Sequence, residues 1–170
     1  MTSQQSLIIT QNNFTIQNRA YVFLNGVEID SIKPYKPEVG RISVKNFGKT
    51  PALLLNSVIN FTIDTTVFNS ERRYPAENIN YINIYIPENG EYSIPFKFIG
   101  MGDELFQSVI NNKHFFIVYG EILFRDIATA KLYTYIFSFR ILNNKRFAPT
   151  PNNNLVYEIS SVDKWLNKVK

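Results

Sequence analysis

Residue types able to do chemistry are sparse in this chain of 170 residues, and their spacing limits what each can do. Lys45-Asn46-Phe47-Gly48-Lys49-Thr50-Pro51 gathers Lys, Gly and Thr, as phosphate-binding loops do. Such a loop needs a glycine-rich run opening a helix, so that amide N–H groups and the helix dipole meet the anion. Here the flanks read as strands and Pro51 removes one N–H, so a structural turn is expected. Glu121 and Asp126 are the nearest approach to a carboxylate pair, and glycoside hydrolysis needs two such groups ~5 to 10 Å apart across a cleft. Their odd separation on one strand sends them to opposite faces, which rules that pair out. Asp126 reads instead as a hairpin-corner acceptor of backbone N–H groups. Asp30, Asp64 and Asp103 fall in loops or at strand ends, where solvated or structural roles are expected, and no Asp-x-Asp-x-Asp-Gly calcium loop occurs.

His114 is the single histidine, set between Asn111-Asn112-Lys113 and a strand starting at Phe115. Catalysis there would need a partner nucleophile or acid, so a strand-entry histidine is the expectation. The absence of cysteine excludes disulfides, Cys-ligated zinc, iron–sulfur clusters and thiol chemistry. No constellation of nucleophile, base and stabiliser emerges. The chain reads as no enzyme, with no cofactor and no metal site.

Tyrosines carry the one candidate binding surface. Tyr81, Asn83 and Tyr85 fall opposite an Ile82, Ile84 and Ile86 face, and Tyr92 and Tyr119 belong to the same aromatic set. Tyrosine is large, rigid and amphipathic, so a Tyr-Asn-Tyr stripe on a solvated sheet suits a sugar ring, a peptide or another protein. The alternative is that this face covers a second sheet or lies under a loop. Basic residues total 18 against 14 acidic, a net charge of +4. They cluster only as Arg72-Arg73, Lys145-Arg146 and Lys164, Lys168 and Lys170. Nucleic-acid binding wants a denser stripe with interleaved aromatics, so no nucleic-acid partner is expected. The terminal lysines read as solubilising groups that favour the C-terminal end of a helix dipole. Asn13-Phe14-Thr15 and Asn60-Phe61-Thr62 fit glycosylation sequons, at a frequency chance supplies in a chain this rich in Asn.

The elements that must position these residues show a period of two. Expected strands run through Arg19 to Leu24, Arg41 to Asn46, Ala52 to Asp64, Tyr81 to Ile86, Tyr92 to Ile99, Phe115 to Arg125 and Leu132 to Leu142. Leu155 to Ile159 is expected as a last short strand. Asn25-Gly26 suits a type I′ turn or a bulge. Pro34 and Pro37 make Ile32 to Gly40 an irregular connection or a poor edge strand. On Ala52 to Asp64, Leu53, Leu55, Ile59, Phe61 and Ile63 are expected on one face, with Asn56, Asn60 and Thr62 on the other. Asp103 is an expected N-cap for a short helix ending near Asn111, and Ser160 or Ser161 for a terminal helix striped by Val162, Trp165, Leu166 and Val169. The fold class is therefore all-β: an antiparallel, immunoglobulin-like β-sandwich of about seven or eight strands, with a short inserted helix and a short C-terminal helix. Residues 1–17 form an N-terminal extension or stalk remnant, 18–142 the sandwich, and 143–170 a linker, last strand and terminal helix. Residues 143–170 hold 5 basic and 2 acidic residues against 13 and 12 in 1–142, so the sandwich itself is nearly neutral.

Three landmarks occur in order: Asn18-Arg19-Ala20-Tyr21-Val22-Phe23, Val44-Lys45-Asn46-Phe47-Gly48-Lys49-Thr50-Pro51-Ala52, and Tyr119-Gly120-Glu121-Ile122-Leu123-Phe124-Arg125-Asp126. Together they resemble a widespread group of uncharacterised bacterial β-sandwich proteins, often membrane-anchored, over roughly Asn18 to Ile141. This chain differs from the group in Ala128-Thr129-Ala130, in lacking a Cys in the last strand, and in showing no apolar span of the ~18 residues a membrane helix needs. The resemblance implies the soluble part of a cell-envelope protein, with an anchor upstream of the segment; a cytoplasmic location is the alternative. No functional residue follows from it. The reading is a non-catalytic binding or interaction module with a protein partner of unknown identity and an open oligomeric state. A carbohydrate-binding or carbohydrate-active sandwich, or a self-assembling subunit, are the alternatives.

Overall fold

The period-two alternation becomes two antiparallel sheets over a shared core. The computed structural model describes residues 18–29, 35, 37–64, 79–99, 102–111, 113–141, 147–149 and 154–169. The 1–17 extension with its Asn13 sequon, Arg72-Arg73, Lys145-Arg146, Asp30, Lys170 and most of the 143–154 linker lie outside the described residues. In chain order the elements are β1 (Val22–Ile29), β2 (Pro37–Asn46), β3 (Ala52–Asp64), β4 (Ile79–Ile86), β5 (Glu91–Ile99), α1 (Asp103–Ile110), β6 (Phe115–Asp126), β7 (Leu132–Ile141), β8 (Phe147–Pro149), β9 (Leu155–Ile159) and α2 (Val162–Val169). One sheet has the order β1-β2-β5; the other runs β4-β3-β6-β7-β8, with β9 also paired to β7. The all-β class, the two short helices and the antiparallel pairing agree with the sequence reading. β8 lies inside the stretch expected to be linker, where it pairs Phe147 with Ile141.

Side chains from both sheets meet in one core. Ile42 and Val44 of β2 and Ile94, Phe96 and Phe98 of β5 pack with Phe116, Val118, Ile122 and Phe124 of β6 and Tyr133, Tyr135, Phe137 and Phe139 of β7. The alternation along Tyr92 to Phe98 and along Tyr133 to Phe139 dictates this, because only every second residue faces inward. Aromatic pairs join the sheets at both ends: Phe98 meets Phe116 edge-on at 5.3 Å, and Phe23 meets Tyr135 at 5.2 Å. Such pairs contribute about 0.5–1.5 kcal/mol each beyond the area they bury.

Two irregularities set which residues reach that core. The β1–β2 register shifts between Leu24 and Gly26, so Asn25-Gly26 forms a bulge and the strand continues to Ile29. In β3 the register shifts between Leu54 and Asn56 against both neighbours. Leu55 has no partner on β6, and the phase slips there. Ala52 and Leu54 therefore face the main core along with Ile59, Phe61 and Ile63, whereas Leu55 packs on the opposite side. The expected single face containing Leu53, Leu55 and Ile59 is corrected by this bulge. Asn60 is buried, so its sequon is sealed inside the fold.

The helices differ in how they begin. Gly102 and not Asp103 is the N-cap of α1, with no side-chain cap bond; Asp103 is already helical and shares the first turn with Glu104. Both acids still favour the positive end of the dipole. In α2, Ser161 Oγ accepts from Lys164 N–H at 3.2 Å, the expected cap. Trp165 and Val169 are fully buried, and Val162 and Leu166 partly so, against Val58, Ile117, Tyr119 and Leu123. This second core covers part of the outer face of the six-stranded sheet. Among the described residues no helix is long and apolar enough to cross a membrane.

Candidate functional site

Each group with chemical potential has a definite place in the fold. The Lys45–Pro51 segment leaves the end of β2 and turns into β3, as expected, and Asn46, the last residue of β2, organises it. The Asn46 side-chain oxygen accepts from Tyr21 N–H at 3.1 Å and Gly48 N–H at 3.0 Å, while its amide donates to Thr50 O at 2.8 Å. Gly48 is fixed by crowding, since a Cβ there would sit 2.2 Å from Arg19 O. Asp126 is fully buried across from it. It accepts from Ala128 N–H at 2.9 Å, from Ala20 N–H at 3.1 Å and from the Thr50 hydroxyl at 3.1 Å. Asp126 is thus the hairpin-corner acceptor expected, and the three sequence landmarks converge on this corner. Their role is to tie β1, β2 and the β6–β7 hairpin together. Arg19 covers the corner with its guanidinium over the Tyr21 ring at 4.4 Å and the Tyr133 ring at 5.4 Å.

Glu121 occupies the opposite side of β6, as its odd separation from Asp126 requires. It is 3 % exposed and pairs with Lys168 of α2 at 2.9 Å. Trp165 Nε1–H donates to it at 3.2 Å and the Thr134 hydroxyl at 3.3 Å. Lys168 also donates to the Tyr157 hydroxyl and lies over that ring. Burial works against the Lys168 charge, but the bonds to Tyr157 and Glu121 outweigh it and hold the ammonium above its ordinary range. Lys168 sits in the last turn of α2, where its charge favours the dipole as expected, and it also neutralises a buried carboxylate, which the sequence reading does not include. The signal lay in Glu121 itself, an acid inside an apolar strand, and in Lys168 falling three residues after Trp165, on the same helix face.

His114 has a partner: its Nδ1 shares a hydrogen bond with the Ser108 hydroxyl. Backbone N–H groups of Lys113 and His114 both donate to Ser108 O, at 2.9 and 3.3 Å. The contact closes the C-terminal end of α1 at the entry to β6, which suits a strand-entry histidine. An open depression of about 530 Å³ lies at the other end of α1, lined by Tyr35, Gly102, Asp103, Glu104 and Leu105. No group of three or more His, Asp or Glu gathers at metal-binding distance among the described residues.

Tyr81, Asn83 and Tyr85 stand on β4, at the edge of the six-stranded sheet. Tyr81 is 76 % and Tyr85 55 % exposed, and Asn83 is exposed as well. Tyr81 pairs with Asn56 and Tyr85 with Leu53, both on the outer face of the sheet, while Ile82, Ile84 and Ile86 turn toward the main core. Asn83 has a φ of 53°, a left-handed conformation that Asn tolerates better than most residues. Of the other two tyrosines in the aromatic set, Tyr119 is buried on the α2 side and Tyr92 packs partly into the core. The arrangement supplies two solvated aromatic rings, an amide and a strand edge with no ladder partner among the described residues, which together suit binding by stacking and ladder hydrogen bonds.

No protein-family model and no curated protein matches the chain. A solved structure described as a Northeast Structural Genomics Consortium target, SoR45, is similar at 15% identity over 74% of this chain and 88% of that chain, with a TM-score of 0.40.

Proposed function

We propose that the chain is a non-catalytic interaction module, an immunoglobulin-like β-sandwich that forms the soluble part of a bacterial cell-envelope protein. Its working surface is the Tyr81, Asn83 and Tyr85 face, and its partner is a protein. The observation that carries this reading is the 76 % and 55 % exposure of two tyrosines on one edge strand. Exposed aromatics next to open ladder groups are features that protein partners recognise. The envelope location is drawn from the resemblance of the three landmarks to membrane-anchored bacterial sandwiches.

Site-specific photo-crosslinking tests it. With p-benzoylphenylalanine in place of Tyr81 or Tyr85, cells producing the protein should yield covalent protein adducts. The same group in place of Ser93, exposed on β5, should yield none. Absence of adducts from both tyrosine positions, or equal adducts from position 93, contradicts the proposal. Binding to a glycan array that vanishes in Tyr81→Ala or Tyr85→Ala would move the reading to carbohydrate.

A further inference from the structure

We infer that β4 pairs antiparallel with β4 of a second copy of this chain, with Asn83 opposite Asn83 at the two-fold axis. This names the partner of the tyrosine face and rests on the reading just given.

Edge strands present unpaired N–H and C=O groups, and proteins blunt them with charges or proline. β5 carries Glu91, Pro95 and Lys97, β1 carries Glu28, β8 ends in Pro149 and β9 carries Glu158. β4, with the sequence INYINIYI, has neither a charge nor a proline over its 8 residues. Among the described residues its ladder partner is β3 alone. Of these edges β4 is the one left without such protection, and a strand of this composition exposed to solvent invites pairing.

Its sequence says with what. Tyr81-Ile82-Asn83-Ile84-Tyr85 reads the same in both directions. A two-fold contact requires that residue i meet residue j while j meets i. Antiparallel pairing centred on Asn83 does this, bringing Tyr81 against Tyr85 and Ile82 against Ile84 twice over. Both tyrosine pairs then lie on the outer face and both isoleucine pairs on the core face, because Ile82 and Ile84 both pack on the main core although the β3–β4 register skips Ile82 and Asn83. Directly opposed aromatic pairs are favourable cross-strand neighbours. A slip of one residue would set Tyr against Ile and turn every side chain to the wrong face. The left-handed bend at Asn83 falls on the axis, so the two copies bend at the same point and the flanking Tyr–Ile segments carry the ladder.

Cysteine mapping tests the register, because the chain has no cysteine of its own. Opposed Cα atoms in an antiparallel pair lie ~4.5–5.5 Å apart, within the range a disulfide spans. Asn83→Cys should oxidise to a covalent dimer at a rate rising with protein concentration. Tyr81→Cys and Tyr85→Cys should each crosslink slowly alone and about tenfold faster when mixed, because position 81 meets position 85. Ser93→Cys gives the collisional background, and circular dichroism of each variant confirms the fold. Sedimentation of the unmodified chain should show a monomer–dimer equilibrium, with the dissociation constant raised at least ~10-fold by Tyr85→Glu, which sets new charge in a closed pair. A monomer at every concentration, or Asn83→Cys crosslinking no faster than Ser93→Cys, overturns the self-pairing. In that event photo-adducts from position 81 whose mass is not a multiple of the chain's would leave the tyrosine-face reading standing, whereas their absence would remove both.

Discussion

The outer face of the six-stranded sheet is sealed along β6 and bare along β4. Under α2, Trp165 is fully buried, and Glu121, 3 % exposed, accepts from Trp165 and Thr134 and pairs with Lys168. Two strands away, Tyr81 and Tyr85 project into solvent. The same sheet face therefore has two characters among the described residues: one half adds to the core, and the other exposes its aromatic rings. The ion pairs make the same contrast in miniature. Lys168–Glu121 and Lys131–Glu158 both measure 2.9 Å, but the carboxylate is 4 % exposed in the first and 53 % in the second. Exposed pairs contribute little, whereas a buried carboxylate left alone is costly.

The largest effect should come from breaking the sealed half. Trp165→Ala removes the ring that fills the second core and a donor to Glu121, and should cost about 3–5 kcal/mol in urea unfolding. Next is Lys168→Met, expected to cost about 2 kcal/mol, a buried-pair figure reduced because the ammonium is partly solvated. Lys131→Met should leave the unfolding midpoint unchanged within error, and Glu121→Leu combined with Lys168→Met should recover most of the Lys168→Met loss. Unfolding curves of the four variants decide it.

Alkaline pH sharpens the comparison without mutation. Burial pushes the Tyr135 hydroxyl up to about 12, against a smaller opposing effect of its hydrogen bond to Leu24, and the Lys168 ammonium is also raised. Both groups have folded values above their unfolded ones. The stability they contribute is complete below ordinary tyrosine and lysine titration and is lost as pH rises through the raised values. Stability should fall from about pH 10 upward, by about 2 kcal/mol from Tyr135 when titration is complete. Fluorescence of Trp165, the single tryptophan, reports the α2 part of that loss; a flat profile to pH 12 contradicts it. The smallest stability effect belongs to the exposed half: Tyr81→Ala should change unfolding by no more than ~0.5 kcal/mol while weakening partner contact at β4.

Much of the fold was legible because burial follows strand alternation. Tyr92, Ile94, Phe96 and Phe98 share a phase, and the core accepts them in that phase. The Val162, Trp165, Leu166 and Val169 stripe was equally readable, as were the exposure of Tyr81 and Tyr85 and the backbone bonds to Asp126. The Leu55 bulge was not, because the slip is a property of β3 against β4 and β6 and leaves no mark in β3 alone. Nor could local spacing reveal that Asp126 accepts from Ala20 N–H, since that contact joins distant parts of the chain; for Lys168 and Glu121 it marked each as a candidate for burial but not the pairing of the two. Asn46 gathers Tyr21, Ile86 and Pro87 as hydrogen-bond partners from segments that only the finished fold assembles, beside the local Gly48 and Thr50.

The most direct test of β4 as the working edge is amide hydrogen exchange of the unmodified chain at low and high protein concentration. Protection of amides within Ile82–Tyr85 should rise with concentration while those of β9, the guarded edge of the same sheet, stay unchanged. Exchange at β4 that ignores concentration, or that slows equally at β9, would contradict the pairing of this edge with a second copy.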